Sequence, residues 1–151
     1  MKNISTKELD DKLKDIRPSD IDSFSKENSE YLAYGKKAFY YYMKDVLAEK
    51  RIRHSDVYLR ADVSESYGSK IMSMIKHTKN RDLIISFCLA GHLTLDETNR
   101  ALKLYGFNPL YSKNERDIII IVAINNRRYQ IHEVDEMLIE HGMDVLYKTR
   151  K

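Results

Sequence analysis

Two prolines, five glycines and one cysteine are all that 151 residues contain of the residues that usually punctuate or staple a fold. Tight turns between short strands draw on Gly and Pro, so their scarcity argues against a turn-rich β architecture. The abundance of Leu, Ile, Lys, Glu and Tyr favours helices instead. A lone cysteine, Cys88, cannot close an internal disulfide, which fits a reducing cytoplasm. It lies among apolar neighbours with no histidine suggestively placed, so a nucleophilic role is not expected. The longest uninterrupted apolar run, IIIIVAI at residues 118–124, falls well short of the roughly 20 residues that span a bilayer. The opening MKNISTKELDDKLKDI is polar and mixed in charge, unlike a secretory leader. The expectation is a soluble, cytoplasmic, all-α protein, long enough for one cored domain with an appendage.

The net charge of +3 is unevenly distributed. Residues 1–35 hold six basic and eight acidic side chains (−2), residues 36–81 eleven and five (+6), and residues 82–151 nine and ten (−1). A local basic surface attracts polyanions and speeds encounter with them. A merely solvated Lys/Arg face would give the same count, so charge alone leaves both readings open.

Along the chain, Leu9, Leu13 and Ile16 have helical spacing after Ser5 and Thr6, and Pro18 predicts a stop. A weaker helical piece follows at residues 21–34. This polar stretch, residues 1–35, reads as a helical arm. Residues 39–52 place Phe39, Tyr42, Met43, Val46 and Leu47 on one face, which predicts an amphipathic helix. Ser55 reads as the N-cap of a two-turn helix, SDVYLRA, with Val57 and Ala61 facing inward. Asp62 and Val63 read as a turn, since Asp tolerates the left-handed conformation. Ser64 then caps ESYGSKIMSMIK, with Tyr67, Ile71, Met74 and Ile75 as its apolar stripe. A short helix, a tight turn and a longer helix make a helix-turn-helix, in which the first helix braces the second. An ordinary helical hairpin is the alternative. Against it stand Val63, placed to plug the corner into the core, the immediate cap at Ser64, and the supporting helix at residues 39–52.

Residues 80–111 (NRDLIISFCLAGHLTLDETNRALKLYGFNPLY) and residues 115–147 (ERDIIIIVAINNRRYQIHEVDEMLIEHGMDVLY) then repeat one another. Arg81-Asp82 aligns with Arg116-Asp117, Glu97 with Glu133, Leu102 with Leu138, Gly106 with Gly142, and Leu110-Tyr111 with Leu146-Tyr147, given one extra residue in the second turn. Each copy reads as helix, turn, helix and a Gly cap with a hydrophobic tail. Neither can bury its own apolar face, so the copies should pack on each other or on the core. The repeat also argues that IIIIVAI, alone compatible with a buried strand, is helical like its counterpart LIISFCL.

Residues 36–106 resemble the five-helix DNA-binding domain of the XRE family, the group of phage Cro and lambda-type repressors. SDVYLRADVSESYGSKI fills the slots of its helix-turn-helix, and NRDLIISFCLAGHLTLDETNRALKLYG resembles its closing helix pair. The added pair resembles a subgroup of small bacterial XRE-like regulators that end in an R-D-x-I-I…G…L-Y unit. The implied organisation is an arm at residues 1–35, the helix-turn-helix domain at 36–111, and a second hairpin at 112–151 packed on the first. Three slots depart from the pattern. Asp62 stands where Gly is usual, and Tyr58 faces Gly68 as a large-for-small exchange. Met74 replaces the Gly that often ends the second helix, which predicts a longer helix.

The resemblance implies double-stranded DNA as partner, with the second helix in the major groove. Carried onto this chain, Ser64, Glu65, Ser66, Ser69, Lys70 and Ser73 would face base edges, Lys70 donating to guanine and Glu65 accepting from cytosine. Arg53, His54 and Ser55, with Lys76, Lys79 and Arg81, would hold phosphates. One basic residue on the reading face suggests modest affinity, so a homodimer on two half-sites is expected to matter. The terminal hairpin, rich in Ile and Leu, is the candidate interface for a second copy or a protein partner, unless it packs within the chain. The competing function is a helical interaction module whose helix-turn-helix no longer reads DNA. Neither an enzyme nor a cofactor is expected. His132 and His141 are nine residues apart, not the four that put two zinc ligands on one helical face, and no phosphate-cradling Gly-rich loop or Ser/His/Asp grouping is suggested.

Overall fold

The computed structural model describes residues 6–27 and 37–147, and every regular element among them is helical. No helix among them is long and apolar enough to cross a membrane. The chain divides into two compact units, residues 1–37 and 38–151.

In the first unit, α1 spans Thr6–Leu13 and α2 spans Ile21–Glu27. Pro18 opens the 3-10 turn Pro18–Asp20 between them, where its missing N–H costs nothing. The ion pairs Lys14–Asp11 at 3.2 Å and Arg17–Asp20 at 3.1 Å are exposed and contribute little. The helical piece expected to reach residue 34 is seen to Glu27; its remainder lies outside the described residues.

The second unit begins with α3, Ala38–Glu49, which buries Phe39, Met43, Val46 and Leu47 as its periodicity predicts. Next come α4, His54–Arg60, and α5, Glu65–Met72. The repeat follows as two hairpins: α6, Arg81–Ala90, with α7, Leu95–Tyr105; then α8, Glu115–Asn125, with α9, Ile131–Glu140. The ambiguous run IIIIVAI is therefore helical, like its counterpart LIISFCL. They share one core with α3 to α5, in which Phe87, Ile84, Leu102, Ile120 and Leu138 are sealed from solvent. The ring of Phe39 meets Tyr105 edge-on at 4.8 Å, and the Tyr105 hydroxyl accepts from the Thr78 N–H at 2.8 Å.

Six helices of this unit end the same way. A residue in the left-handed conformation follows the last turn, and the next N–H returns to a carbonyl five residues back, satisfying an orphan acceptor. The returning bonds are Ile52 to Leu47, Val63 to Tyr58, Leu93 to Cys88, Phe107 to Leu102, Arg128 to Ala123 and Met143 to Leu138, all between 2.8 and 3.1 Å. Glycine fills the left-handed position at only two of them, Gly106 and Gly142. Arg51, Asp62, His92 and Arg127 fill the others, with φ between 55° and 57°.

The two hairpins pack on each other, α6 against α9 and α7 against α8, and exchange charges across the seam. Both oxygens of Asp117 accept from Arg81, at 3.1 and 3.0 Å. Both oxygens of Asp82 accept from Arg116, at 2.9 Å each. Each guanidinium also braces the tail of its own hairpin. Arg81 donates to the carbonyls of Asn108 and Pro109 at 3.1 Å, and Arg116 to those of Asp144 at 3.0 Å and Val145 at 3.4 Å. The tails are pinned alike a second time, Leu110 N–H on Asn99 at 2.8 Å and Leu146 N–H on Asp135 at 2.7 Å.

Removing one cation should expose how much rests on this exchange. Arg116→Met would keep the aliphatic stem but leave Asp82 and two carbonyls without their donor. A loss of about 2–3 kcal/mol is expected, read as a shifted urea midpoint at unchanged slope; a shift within error would show the pairing to be incidental.

Candidate nucleic-acid interface

The corner between α4 and α5 is fixed by local chemistry. Val57 and Ala61 are fully buried, as their inward spacing predicts. Asp62 takes φ 55°, so the left-handed turn residue read from the sequence is the one used. Val63 is partly buried against the core. Ser64 is the N-cap of α5, its hydroxyl oxygen accepting from the Tyr67 N–H at 3.1 Å.

Tyr58 and Gly68 set the approach of the two helices. A Cβ built on Gly68 would stand 2.5 Å from Cδ1 and 2.8 Å from Cγ of Tyr58, well inside contact distance. The expected pairing of a large residue with a small one is present: the ring occupies the volume that a side chain at position 68 would need. Tyr58 continues inward to meet Phe87 of α6, ring centroids 6.1 Å apart. Its burial pushes the phenol up to about 12.

Three details of this segment differ from the sequence expectation. Helix α4 starts two residues earlier, with Arg53 at the N-cap and Ser55 inside the first turn. Arg53 there forms a two-toothed pair with Asp56 at 3.2 and 3.3 Å, which draws the helix start forward. Helix α5 does not run long. It ends at Met72, and Met74 adopts φ 66°, doing what glycine does elsewhere despite its side chain. Gly68, Ile71 and Met72 form the buried stripe at helical spacing, and because the helix stops before Ile75 that residue is 74% exposed.

The outward face of α5 presents Ser64, Glu65, Ser66, Ser69 and Lys70 to solvent, with Ser73 partly covered. Several hydroxyls are already engaged. Ser69 donates to the Ser66 carbonyl at 3.2 Å and Ser73 to the Ser69 carbonyl at 2.7 Å, leaving their oxygens as acceptors. Lys76 lies 5.3 Å over the Tyr67 ring and Lys79 is exposed.

The proposed phosphate ligands divide. Arg53, Ser55, Lys76 and Lys79 stay at the surface. Arg81 does not join them, because its guanidinium is held by Asp117 and two carbonyls inside the repeat. His54 is half-buried, and burial, reinforced by Lys44, lowers its affinity for a proton. It is therefore suited to donate a neutral hydrogen bond and not to supply charge. Cys88 is fully buried, which pushes its thiol up to about 12 and keeps it protonated.

The structure also gathers a group that no sequence pattern announced. An open cleft of about 730 Å³ is lined by Arg60, Asp62, His92, Tyr129 and His132, among others. His92 and Tyr129 stack at 4.6 Å, and Arg60 donates to the Ala90 carbonyl at 2.8 Å. These residues come from three separate turns and helices, so only the tertiary fold brings them together.

No protein-family model, curated protein or solved structure matches this chain.

Two outcomes follow from the geometry. Gly68→Ala gains about 1 kcal/mol of helix propensity, yet overpacking against Tyr58 should cost about 1–3 kcal/mol. A net lowering of the melting temperature is expected, and Tyr58→Ala should cancel part of the penalty in the double variant; additive effects would refute the interlock. The second concerns pH. His54 is lowered by burial and Lys44, and His92 by burial, Arg60 and Lys50, both from an ordinary value of 6.5. On acidification through that value the unfolded chain takes up protons before the folded one does. Stability present at neutral pH should therefore fall as pH drops from 7 towards 5. Replacing both histidines with Gln should flatten that slope in thermal melts.

Proposed function

We propose that this protein is a sequence-specific double-stranded DNA-binding transcriptional regulator. Its five helices α3 to α7 would form a lambda-repressor-like helix-turn-helix domain, with α5 entering the major groove. The carrying observation is the outward face of α5. Glu65, Ser66, Ser69 and Lys70 are exposed on a helix whose opposite face is locked by Ile71, Met72 and the Tyr58–Gly68 contact. Such a face takes no part in the core, and the segment around it carries the +6 excess.

On this reading Lys70 and Glu65 supply the charged base contacts, and the back-bonded serines serve as acceptors for cytosine or adenine amino groups. Lys76, Lys79 and Arg53 anchor phosphates, with Ser55 in support. With His54 uncharged and Arg81 engaged elsewhere, a single domain has few anchors, so two half-sites bound by a homodimer would make up the affinity.

A second reading has one observation in its favour. Ile118 and Val122 leave an apolar strip on the last hairpin 40% and 45% exposed, as a helical interaction module that does not read DNA would require.

Selection from a random double-stranded DNA pool, followed by fluorescence anisotropy over a salt series, separates the two. An enriched motif is expected, with affinity falling steeply as salt rises. Lys70→Ala should cost roughly tenfold on that motif, whereas Lys76→Ala should weaken all sequences alike and lower the salt slope by about 1. No enrichment, with binding indifferent to Lys70, would reject the DNA reading.

A further inference from the structure

The repeat supplies a template for something its second copy lacks. The aligned Arg-Asp pairs set the register, so Ile118 and Val122 of α8 correspond to Leu83 and Phe87 of α6. In the first copy these are sealed, Leu83 at 1% and Phe87 at 0% exposure, and α4 packs on that helix with Tyr58 against Phe87. In the second copy Ile118 and Val122 remain 40% and 45% exposed. They line a groove of about 350 Å³ together with Ile119, Met137, Met143 and Glu115. His141 of α9 lines it too and corresponds to Tyr105, so the groove is the position that two amphipathic helices cover in the first copy, α3 through Phe39 on Tyr105 and α4 through Tyr58 on Phe87. Two methionines suit a surface that must adapt to a helix supplied from outside, since their side chains repack easily.

Charge narrows the occupant. Residues 112–147 hold four basic and seven acidic side chains, a balance of −3. Glu115 lines the groove and the exposed Glu140 stands three positions from Met137 on α9, whereas Glu133, four positions away, is held by Arg128 at 2.7 Å. A second copy presenting this same hairpin would set −3 against −3, which opposes pairing.

We propose that this groove docks a short amphipathic helix of a partner protein, one whose apolar stripe is flanked by lysines or arginines. Docking of this kind lays the apolar residues at helical spacing into the groove while flanking cations meet the acidic rim. The proposal does not depend on whether α5 reads DNA.

Methyl NMR on the full chain tests it, using two synthetic helical peptides. Both carry the Val, Tyr and Ala spacing of residues 57, 58 and 61; the remaining positions are Lys-rich in one and Glu-rich in the other. The Lys-rich peptide is expected to shift the methyls of Ile118, Val122, Met137 and Met143 saturably. Val122→Ser, at a half-exposed position, should weaken it roughly tenfold while circular dichroism and the melting temperature stay near those of the parent; Lys70→Ala should leave it unchanged. No shift at these methyls, or equal binding by Val122→Ser, would overturn the docking site. Equal binding of the Glu-rich peptide would overturn the cationic partner. The same shifts on raising protein concentration without peptide would assign the groove to a second copy and so also overturn the proposal.

Discussion

Two arginines and two aspartates, exchanged between the repeated hairpins, hold the second unit in register. Adjacent residues on a helix point about 100° apart, so each Arg-Asp dyad can brace its own tail with the cation while its carboxylate reaches across the seam. Partly buried charges are costly to desolvate, and these are tolerable because nearly every donor and acceptor in the exchange is used. The dependence then passes outward. The seam fixes α6, α6 supports α4 through Phe87 and Tyr58, and Tyr58 sets how closely α5 approaches. A change at the seam therefore reaches the face that would meet DNA, without touching it.

Charge is segregated along the chain, positive through residues 36–81 and negative through the last hairpin. An uneven field of this kind orients a protein before contact. A polyanion would meet the basic segment first, while the acidic hairpin is repelled and stays available to something else. The α5 face and the groove on the last hairpin are compatible with one another for that reason.

Much of this was legible in the sequence because it is local. The amphipathic helix at residues 39–52, the left-handed turn at Asp62, the cap at Ser64 and the two Gly-capped hairpins all follow from spacing and side-chain chemistry. The Tyr58–Gly68 contact was legible too, as a large side chain and a glycine expected to face one another across the turn. What escaped was tertiary. The alignment of Arg81-Asp82 with Arg116-Asp117 was plain, but nothing in a linear string says that aligned dyads will pair crosswise. Arg81 consequently looked like one more surface cation in a basic segment. The end of α5 carries no written stop: position 74 is not glycine, yet Met74 takes the left-handed conformation, partly buried against the core. That early end leaves Ile75, expected on the apolar stripe, exposed to solvent. The cleft at His92 and Tyr129 had no signal at all.

The shared manner of ending helices has a consequence for how this protein could change. At Arg51, Asp62, His92 and Arg127 a side chain is tolerated in a conformation that disfavours it by roughly 1–2 kcal/mol, and all four positions are exposed. The second unit therefore holds an untapped margin, distributed over its surface and independent of its core. A lineage or an engineer could draw on it one corner at a time, and so tolerate damaging changes elsewhere, including on faces that would recognise partners.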